Sequence, residues 1–249
     1  NTVTKTAVLP LSLNLRSAAS FGVLTGAGVS GDGSIKGNIG TATLGIPSLV
    51  TATGTKYEGT TEAPTARNDL SPAYFDAAGR TDVTQLNAGD YNLGATTQTP
   101  GVYKIGGNAT LNGTLTLNGA GIYIFQIAGL LTTANNSMVN LTNGAQWHTI
   151  YWQVGGNDAT LGSNSTFVGT LLAKKSISAG NGASVTGRLL GGADDATGTV
   201  TLTNATLLPV ELISFTASSN QKSVNLHWST ATEVNNYGFE VQRTEVRDQ

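Results

Sequence analysis

The repeat that decides the fold is clearest in Ala109-Thr110-Leu111-Asn112-Gly113-Thr114-Leu115-Thr116-Leu117, where two short alternating runs flank an Asn-Gly pair. Alternation of apolar and polar residues with period two predicts half-buried β-strands. The Asn-Gly pair supplies the positive φ that a tight corner needs. Four further segments align with this one, at residues 131–141, 159–169, 177–187 and 200–207. The chain from about 91 to 208 is therefore a repeat of strand, corner and strand.

A third strand interleaves with this unit, because residues 122–127 (Ile-Tyr-Ile-Phe-Gln-Ile) match residues 149–154 (Thr-Ile-Tyr-Trp-Gln-Val). Three short strands per coil, each bonded to the neighbouring coils, make a solenoid of roughly triangular section. The inward positions are Leu, Val, Ile and Phe, which would stack into one core. The predicted fold class is therefore all-β dominated: an irregular triangular β-solenoid, or β-helix.

Residues 62–80 differ from the repeat, since they are rich in Ala and show no strand alternation. Pro64 suits the first turn of a helix and Gly79 suits its end, so we expect one α-helix at about 62–80. This helix would lie along one flank of the solenoid. We expect three of its side chains to cover apolar surface: Tyr74, Phe75 and Ala78.

Residues 209–249 change character and contain three cleanly alternating runs. About 40 residues bury little surface on their own. We therefore expect two parts, a solenoid with its flanking helix over 1–208 and a truncated β-rich appendage over 209–249.

The composition restricts the classes of partner. The 249 residues carry a net charge of −2 with no cysteine, and 11% of them are charged against the usual value of about 25%. The sequence contains no basic patch of the kind that binds nucleic acid. It also contains no apolar run long enough for insertion into a membrane. Thr is the commonest residue, and a surface rich in Thr and poor in charge suits an uncharged partner.

Candidate catalytic and metal-binding groups are sparse. With only His148 and His227 and no cysteine, neither a zinc site nor any other cofactor is expected. Asp194-Asp195 favours a turn over calcium binding or an acidic catalytic pair. Lys174-Lys175 and Arg188 are interpreted as solvated edges, and Trp152, which parallels Phe125, as a core residue.

Strand parity predicts which side chains face outward. The first strand of each coil presents one column: Thr110, Thr132, Thr160, Ser178 and Thr201. A second column follows it: Asn135, Ser163, Asn181 and Asn204. The second strand presents another candidate face: Thr114, Thr116, Asn140, Thr166, Thr170, Ser184 and Thr186.

Such columns form a regular grid, because coils stack at about 4.8 Å and alternate residues along a strand lie about 6.7 Å apart. Methyl groups would hold water in cages while hydroxyl groups anchor it, so a layer of water could match an ice plane. Outward Thr columns also occur in ordinary solenoids, because Thr is a good strand former. The columns alone therefore leave the function open.

Several motifs in order resemble the widespread microbial ice-binding (antifreeze) family with a discontinuous β-solenoid. They lie at residues 17–24, 99–103, 152–155, 159–162, 167–170 and 187–188, and the resemblance spans about 15–207. It implies a helix beside a triangular solenoid and ice binding through one flat face. The family's loose Thr-Ala/Gly-any-Thr/Asn pattern fits residues 133–136 and, with Ser for Thr, residues 178–181. Residues 160–163 depart from it at two positions.

The C-terminal residues 208–212 and 228–240 resemble the start of a fibronectin-like, secretion-associated module of Bacteroidetes. That resemblance implies an exported protein, secreted or held at the cell surface.

The predicted function is adsorption to an ice surface by a monomer without catalysis, giving thermal hysteresis and inhibition of ice recrystallisation. Two alternatives remain at this point. A carbohydrate-binding or carbohydrate-active β-helix would need carboxylates and basic groups clustered on one face. A cell-surface adhesin is suggested by the C-terminal resemblance.

Overall fold

A computed structural model describes residues 11–43, 45–208, 212–219 and 224–230. In these residues, 20 strands form one continuous sheet wound into coils, and two further strands pair separately. The helix α1 spans Glu62–Gly79, at the predicted position. Two short 3-10 helices accompany the strands, η1 (Arg16–Ser20) and η2 (Trp147–Thr149).

Five strands precede α1: β1 Phe21–Thr25, β2 Gly28–Ile35, β3 Asn38–Thr41, β4 Val50–Ala52 and β5 Lys56–Glu58. The strands that follow α1, up to η2, are β6 Thr84–Asn87, β7 Tyr91–Asn92, β8 Thr96–Gln98, β9 Gly101–Ile105, β10 Ala109–Leu111, β11 Thr114–Asn118, β12 Tyr123–Ile127, β13 Leu131–Thr133 and β14 Met138–Thr142. The solenoid ends with β15 Ile150–Val154, β16 Asp158–Leu161, β17 Thr166–Ala173, β18 Ser176–Ala179, β19 Ser184–Leu190 and β20 Thr199–Leu207.

All strand pairs of the solenoid are parallel, and they stack into three faces. The helix-covered face contains β6, β9, β12, β15, the ends of β17 and β19, then β1, β3 and β5. The threonine face contains β7, β10, β13, β16, β18 and the starts of β20 and β2. The third face contains β8, β11, β14, the starts of β17 and β19, the ends of β20 and β2, and β4. The predicted β-solenoid with one helix alongside is confirmed.

The order of coils in space differs from their order along the chain. Strand β1 pairs with β19 on one side and β3 on the other, while β2 pairs with β20 and β4. The first strands therefore extend the end of the solenoid that the last coil forms. Helix α1 then carries the chain from β5 back to β6, at the opposite end of the helix-covered face.

The C-terminal strands β21 (Leu212–Ser219) and β22 (Val224–Thr230) form a separate antiparallel pair. They correspond to the first two alternating runs that the sequence predicts after residue 208. The third run, at residues 238–243, lies outside the described residues.

The core of the solenoid contains an aromatic stack that runs along its axis. The ring of Trp152 lies 4.2 Å from that of Phe125 and 5.1 Å from that of Phe167, and Tyr103 continues the stack 5.3 Å beyond Phe125. The indole Nε1 of Trp152 donates to the Val168 carbonyl at 2.9 Å. These contacts agree with the core position predicted for Trp152, because a buried indole needs a partner for its N–H group.

Helix α1 buries one narrow stripe against the helix-covered face. The buried side chains recur every three or four residues: Ala63, Ala66, Leu70, Ala73, Tyr74 and Ala77. The prediction was correct for Tyr74 and wrong for two neighbours, because Phe75 is 52% exposed and Ala78 is also exposed. Both lie off the stripe, since the side chains of successive helical residues are rotated by about 100° around the helix axis.

The C-terminal end of α1 is capped from the solenoid by Gln126. Its buried side-chain amide Nε2 donates to the carbonyls of Ala77 at 2.8 Å and Arg80 at 2.9 Å. Carbonyls at a helix end have no partner within the helix, so an outside donor stabilises the end. Gln126 thus anchors α1 at the point where the chain enters β6.

Replacing Gln126 by Met should lower the free energy of unfolding by about 1–3 kcal/mol, because one buried and one partly buried carbonyl lose their donor. Urea denaturation monitored by circular dichroism measures this loss. The control is Gln98→Met, since the amide of Gln98 reaches only the nearby Thr96 hydroxyl at 3.4 Å. Equal effects of the two substitutions would contradict the capping role.

Candidate functional site

The threonine face presents one unbroken central row of short polar side chains, one from each coil. Strand register places them side by side in the order Asn92, Thr110, Thr132, Thr160, Ser178, Thr201 and Ser30. Thr201 is half-buried and the other six are exposed. The structure thus brings together the five residues predicted for the first column.

Two members of this row, Asn92 and Ser30, were not predicted from the sequence. Asn92 lies between Tyr91 and Leu93, and that local alternation could have revealed it. Ser30 lies in β2, which comes before the helix in the chain, and its place beside Thr201 depends on a pairing between distant segments. The two hydroxyl oxygens, Ser30 Oγ and Thr201 Oγ1, are 2.9 Å apart.

The second predicted column follows the corner between the threonine face and the third face. Asn135 Oδ1 accepts from the backbone N–H of Ser163 at 2.9 Å, and Asn204 Nδ2 donates to Asn181 Oδ1 at 3.3 Å. The side chains of Asn135, Asn181 and Asn204 therefore hold neighbouring coils together. They border the central row and also fix the spacing of the coils beneath it.

The register corrects one part of the predicted tetrapeptide pattern. Thr133 is only 3% exposed, and its hydroxyl oxygen accepts from the backbone N–H of Gly162 at 2.9 Å. The outward residue is Thr132, which lies directly beside Thr160. Residues 133–136 fit the pattern in sequence, but the segment that lies in register with residues 160–163 begins one residue earlier, at 132–135.

In the corrected register the segments of four neighbouring coils are 132–135, 160–163, 178–181 and 201–204. The first residue of each segment lies in the central row, and the fourth lies at the corner. The two remaining residues pack inward or form the backbone of the bend.

The third face also carries a row of short side chains, and this row is interrupted. Its members, in register, are Thr114, Met138, Thr166, Ser184, Thr206, Ser34 and Thr51. Met138 is 43% exposed and replaces the hydroxyl with a long apolar chain. Strands β14 and β17 share a single register pair, Met138 with Thr166. Thr116, Asn140 and Thr186 also lie on this face, and its surface is less regular than the threonine face.

Thr170 is neither exposed nor on the third face, contrary to the prediction. It is fully buried on the helix-covered face between Tyr151 and Arg188, and its hydroxyl group has no hydrogen-bond partner among the described residues. The reason is a bend within β17 at Gly169, where φ is +115°. The bend moves the strand from the third face to the helix-covered face. Thr170 still lies on the outer side of its strand with Tyr151 and Leu172, but residues packed over that face bury it.

The central row of the threonine face is electrically neutral, and charges lie only at its borders. Asp90 and Asp32 lie at the first and last coils, where each accepts a backbone N–H of the adjacent coil, from Asn108 and Asn204. Asp158 lies two residues before Thr160 and is exposed. Among the described residues, no three His, Asp, Glu or Cys side chains are grouped to hold a metal ion.

The charged motifs have local roles that the geometry explains. The Thr197 hydroxyl and backbone N–H donate to Asp195 at 2.7 and 2.8 Å, and these bonds lower the pKa of the Asp195 carboxyl. Arg188 lies 5.0 Å above the Trp147 ring, and burial together with Arg188 lowers the pKa of His148. These groups form a turn and fasten η2 to the solenoid. In the described part of the chain, no helix is long and apolar enough to cross a membrane.

Comparisons with known proteins agree with this geometry. The model of the family described as ice-binding-like matches residues 23–208. An ice-binding protein of Colwellia sp. is 33% identical over 201 residues, which cover 73% of this chain and 79% of that protein. An ice-binding protein of Flavobacterium frigoris is 32% identical over 197 residues, covering 72% and 71%.

A solved structure, the crystal structure of an ice-binding protein from the Antarctic ascomycete Antarctomyces psychrotrophicus, superposes with a TM-score of 0.73 at 32% identity. It covers 80% of this chain and 98% of that chain. The parallel solenoid, the single helix beside it and the extent of the match lead to one conclusion. The chain belongs to the ice-binding-like family.

Proposed function

We propose that this protein adsorbs to ice through the threonine face. The observation that carries the proposal is the unbroken central row from Asn92 to Ser30, in which seven coils each place one short uncharged side chain at the same register. Relatives of this chain are named ice-binding proteins. The third face supports the same function less well, because Met138 and the single register pair between β14 and β17 interrupt its row.

The mechanism requires no reaction step. Side chains repeat at about 4.8 Å across the coils, so their methyl groups enclose water while their hydroxyl groups anchor it. Each contact is weak, and a rigid sheet loses little entropy when many such contacts form together. An adsorbed molecule then prevents growth of the ice surface beneath it, which produces thermal hysteresis and slows recrystallisation.

The protein acts as a monomer outside the cell, without catalysis. One face of one chain supplies the complete row, so adsorption needs no second copy. Export places the protein where it meets external ice, and the C-terminal resemblance to a secretion-associated module supports this location. The described threonine face carries no cluster of carboxylate and basic groups, which a carbohydrate-active β-helix would need.

Ice-affinity purification tests the proposal directly. Slow growth of ice in a dilute solution should incorporate this protein into the ice fraction, while an inert protein of similar size stays in the liquid. Recrystallisation of fine-grained ice should also stop at micromolar protein. Exclusion from the ice together with normal recrystallisation would reject the proposed function.

A further inference from the structure

The threonine face has an outer row that begins two residues before the central row. Register places Asp158 beside Ser176, and Gly28 beside Thr199. The Thr199 and Ser176 hydroxyl oxygens are 3.3 Å apart, which connects the two pairs into one row. Because alternate residues of a strand point to the same side, this row and the central row share one surface.

Asp158 is the charged member in the middle of this surface. Its strand, β16, has three coils of the threonine face on either side, with β13, β10 and β7 in one direction and β18, β20 and β2 in the other. Its side chain is exposed, with no ion pair or hydrogen bond among the described residues. It therefore differs from Asp90 and Asp32, which bond to neighbouring coils at the ends of the face.

A carboxylate disrupts an ice-like layer of water at the protein surface. It only accepts hydrogen bonds, so every water in its first shell turns a hydrogen toward it. Water in ice donates two hydrogen bonds and accepts two, and a shell with a single orientation cannot continue that lattice. Removing the shell instead would leave a charge without solvent or partner, which is costly.

We propose that Asp158 attenuates ice adsorption by placing a charge between two neutral patches of the threonine face, which remain connected only through Thr160 in the central row. One patch contains Thr110 and Thr132, and the other contains Ser176, Ser178, Thr199 and Thr201. Removal of the charge joins the two patches into one continuous surface. This inference depends on the proposed function, and it adds the element that limits the activity of the site.

The test compares Asp158→Asn and Asp158→Thr with the unaltered protein at equal molar concentration. Both variants should raise thermal hysteresis about twofold or more, because additional weak contacts add to those already made by a rigid surface. Asp158→Asn keeps the shape of the side chain and decides the question if Asp158→Thr folds poorly. Glu58→Gln is the matched control, since it removes one negative charge from β5 on the helix-covered face. Melting temperatures verify the fold of each variant.

Each outcome has one meaning. If the unaltered protein and every variant fail to alter ice growth, the proposed function itself fails. If the unaltered protein is active but Asp158→Asn equals it or falls below it, the inference about Asp158 is wrong. Equal gains from Asp158→Asn and Glu58→Gln would indicate an effect of net charge and would also overturn it.

Discussion

Replacing Thr160 by Tyr should reduce thermal hysteresis to about a tenth of its original value or less, because many weak contacts act together in adsorption. Thr160 lies in the fourth of seven coils, between Thr132 and Ser178. A phenol ring at this central position stands above the plane of short side chains. The ring keeps the neighbouring coils out of contact with ice. The loss of thermal hysteresis is therefore larger than the loss expected from removing the contact of one threonine.

The matched control is Thr166→Tyr, which makes the same exchange on the third face. Tyr and Thr both favour strands, so neither variant should lose much stability. Thermal hysteresis and the melting temperature are measured for both at equal concentration. If Thr166→Tyr is the damaging change while Thr160→Tyr remains active, the ice-binding surface is the third face.

The largest effect on stability is expected for Trp152→Ala, which should lower the free energy of unfolding by about 3–5 kcal/mol. The Trp152 side chain is fully buried between Phe125 and Phe167, so its removal leaves a cavity in the middle of the aromatic stack. The Val168 carbonyl also loses its donor. A loss of this size is a large fraction of the total stability of a typical domain, about 5–15 kcal/mol.

Urea denaturation gives the free energy of unfolding for this comparison. Trp152→Phe keeps a stacked ring but loses the N–H group, and should cost about 1–2 kcal/mol, close to one buried hydrogen bond. Phe75→Ala serves as the control for the loss of an aromatic side chain, because Phe75 is 52% exposed. A Trp152→Ala protein as stable as the unaltered one would contradict a structural role for the stack.

Local periodicity accounts for the parts of the fold that could be predicted. The alternation around Thr110, Thr132, Thr160 and Ser178 places each side chain outward without knowledge of any distant contact, because strand parity is a local property. The helix has a local signature as well. The structure brings these predicted residues into one row, and its register adds their order across the coils.

The errors lie where the chain turns or where distant segments meet. Strand β17 passes from the third face to the helix-covered face at Gly169, so Thr170 was assigned to an exposed face although it lies on a covered one. Strand parity placed Thr132 outward correctly, whereas the family's four-residue pattern starts at Thr133, because such a pattern alone does not show which position faces the core. The position of Ser30 depends on the pairing of β2 with β20, and the sequence near residue 30 does not indicate that pairing.

The joining of the first strands to the last coil also determines how the molecule can assemble. Ser30 and Thr201 are 171 positions apart in the chain, and yet their hydroxyl oxygens are 2.9 Å apart. During synthesis, β1 and β2 must wait until the segment through β20 has left the ribosome before they find their partners in the last coil, β19 and β20. Contacts between such remote segments slow folding, because a long loop must close first. Because the first strands hold the last coil in place, we expect Ser30 and Thr201 to leave the row together when this end of the solenoid unfolds.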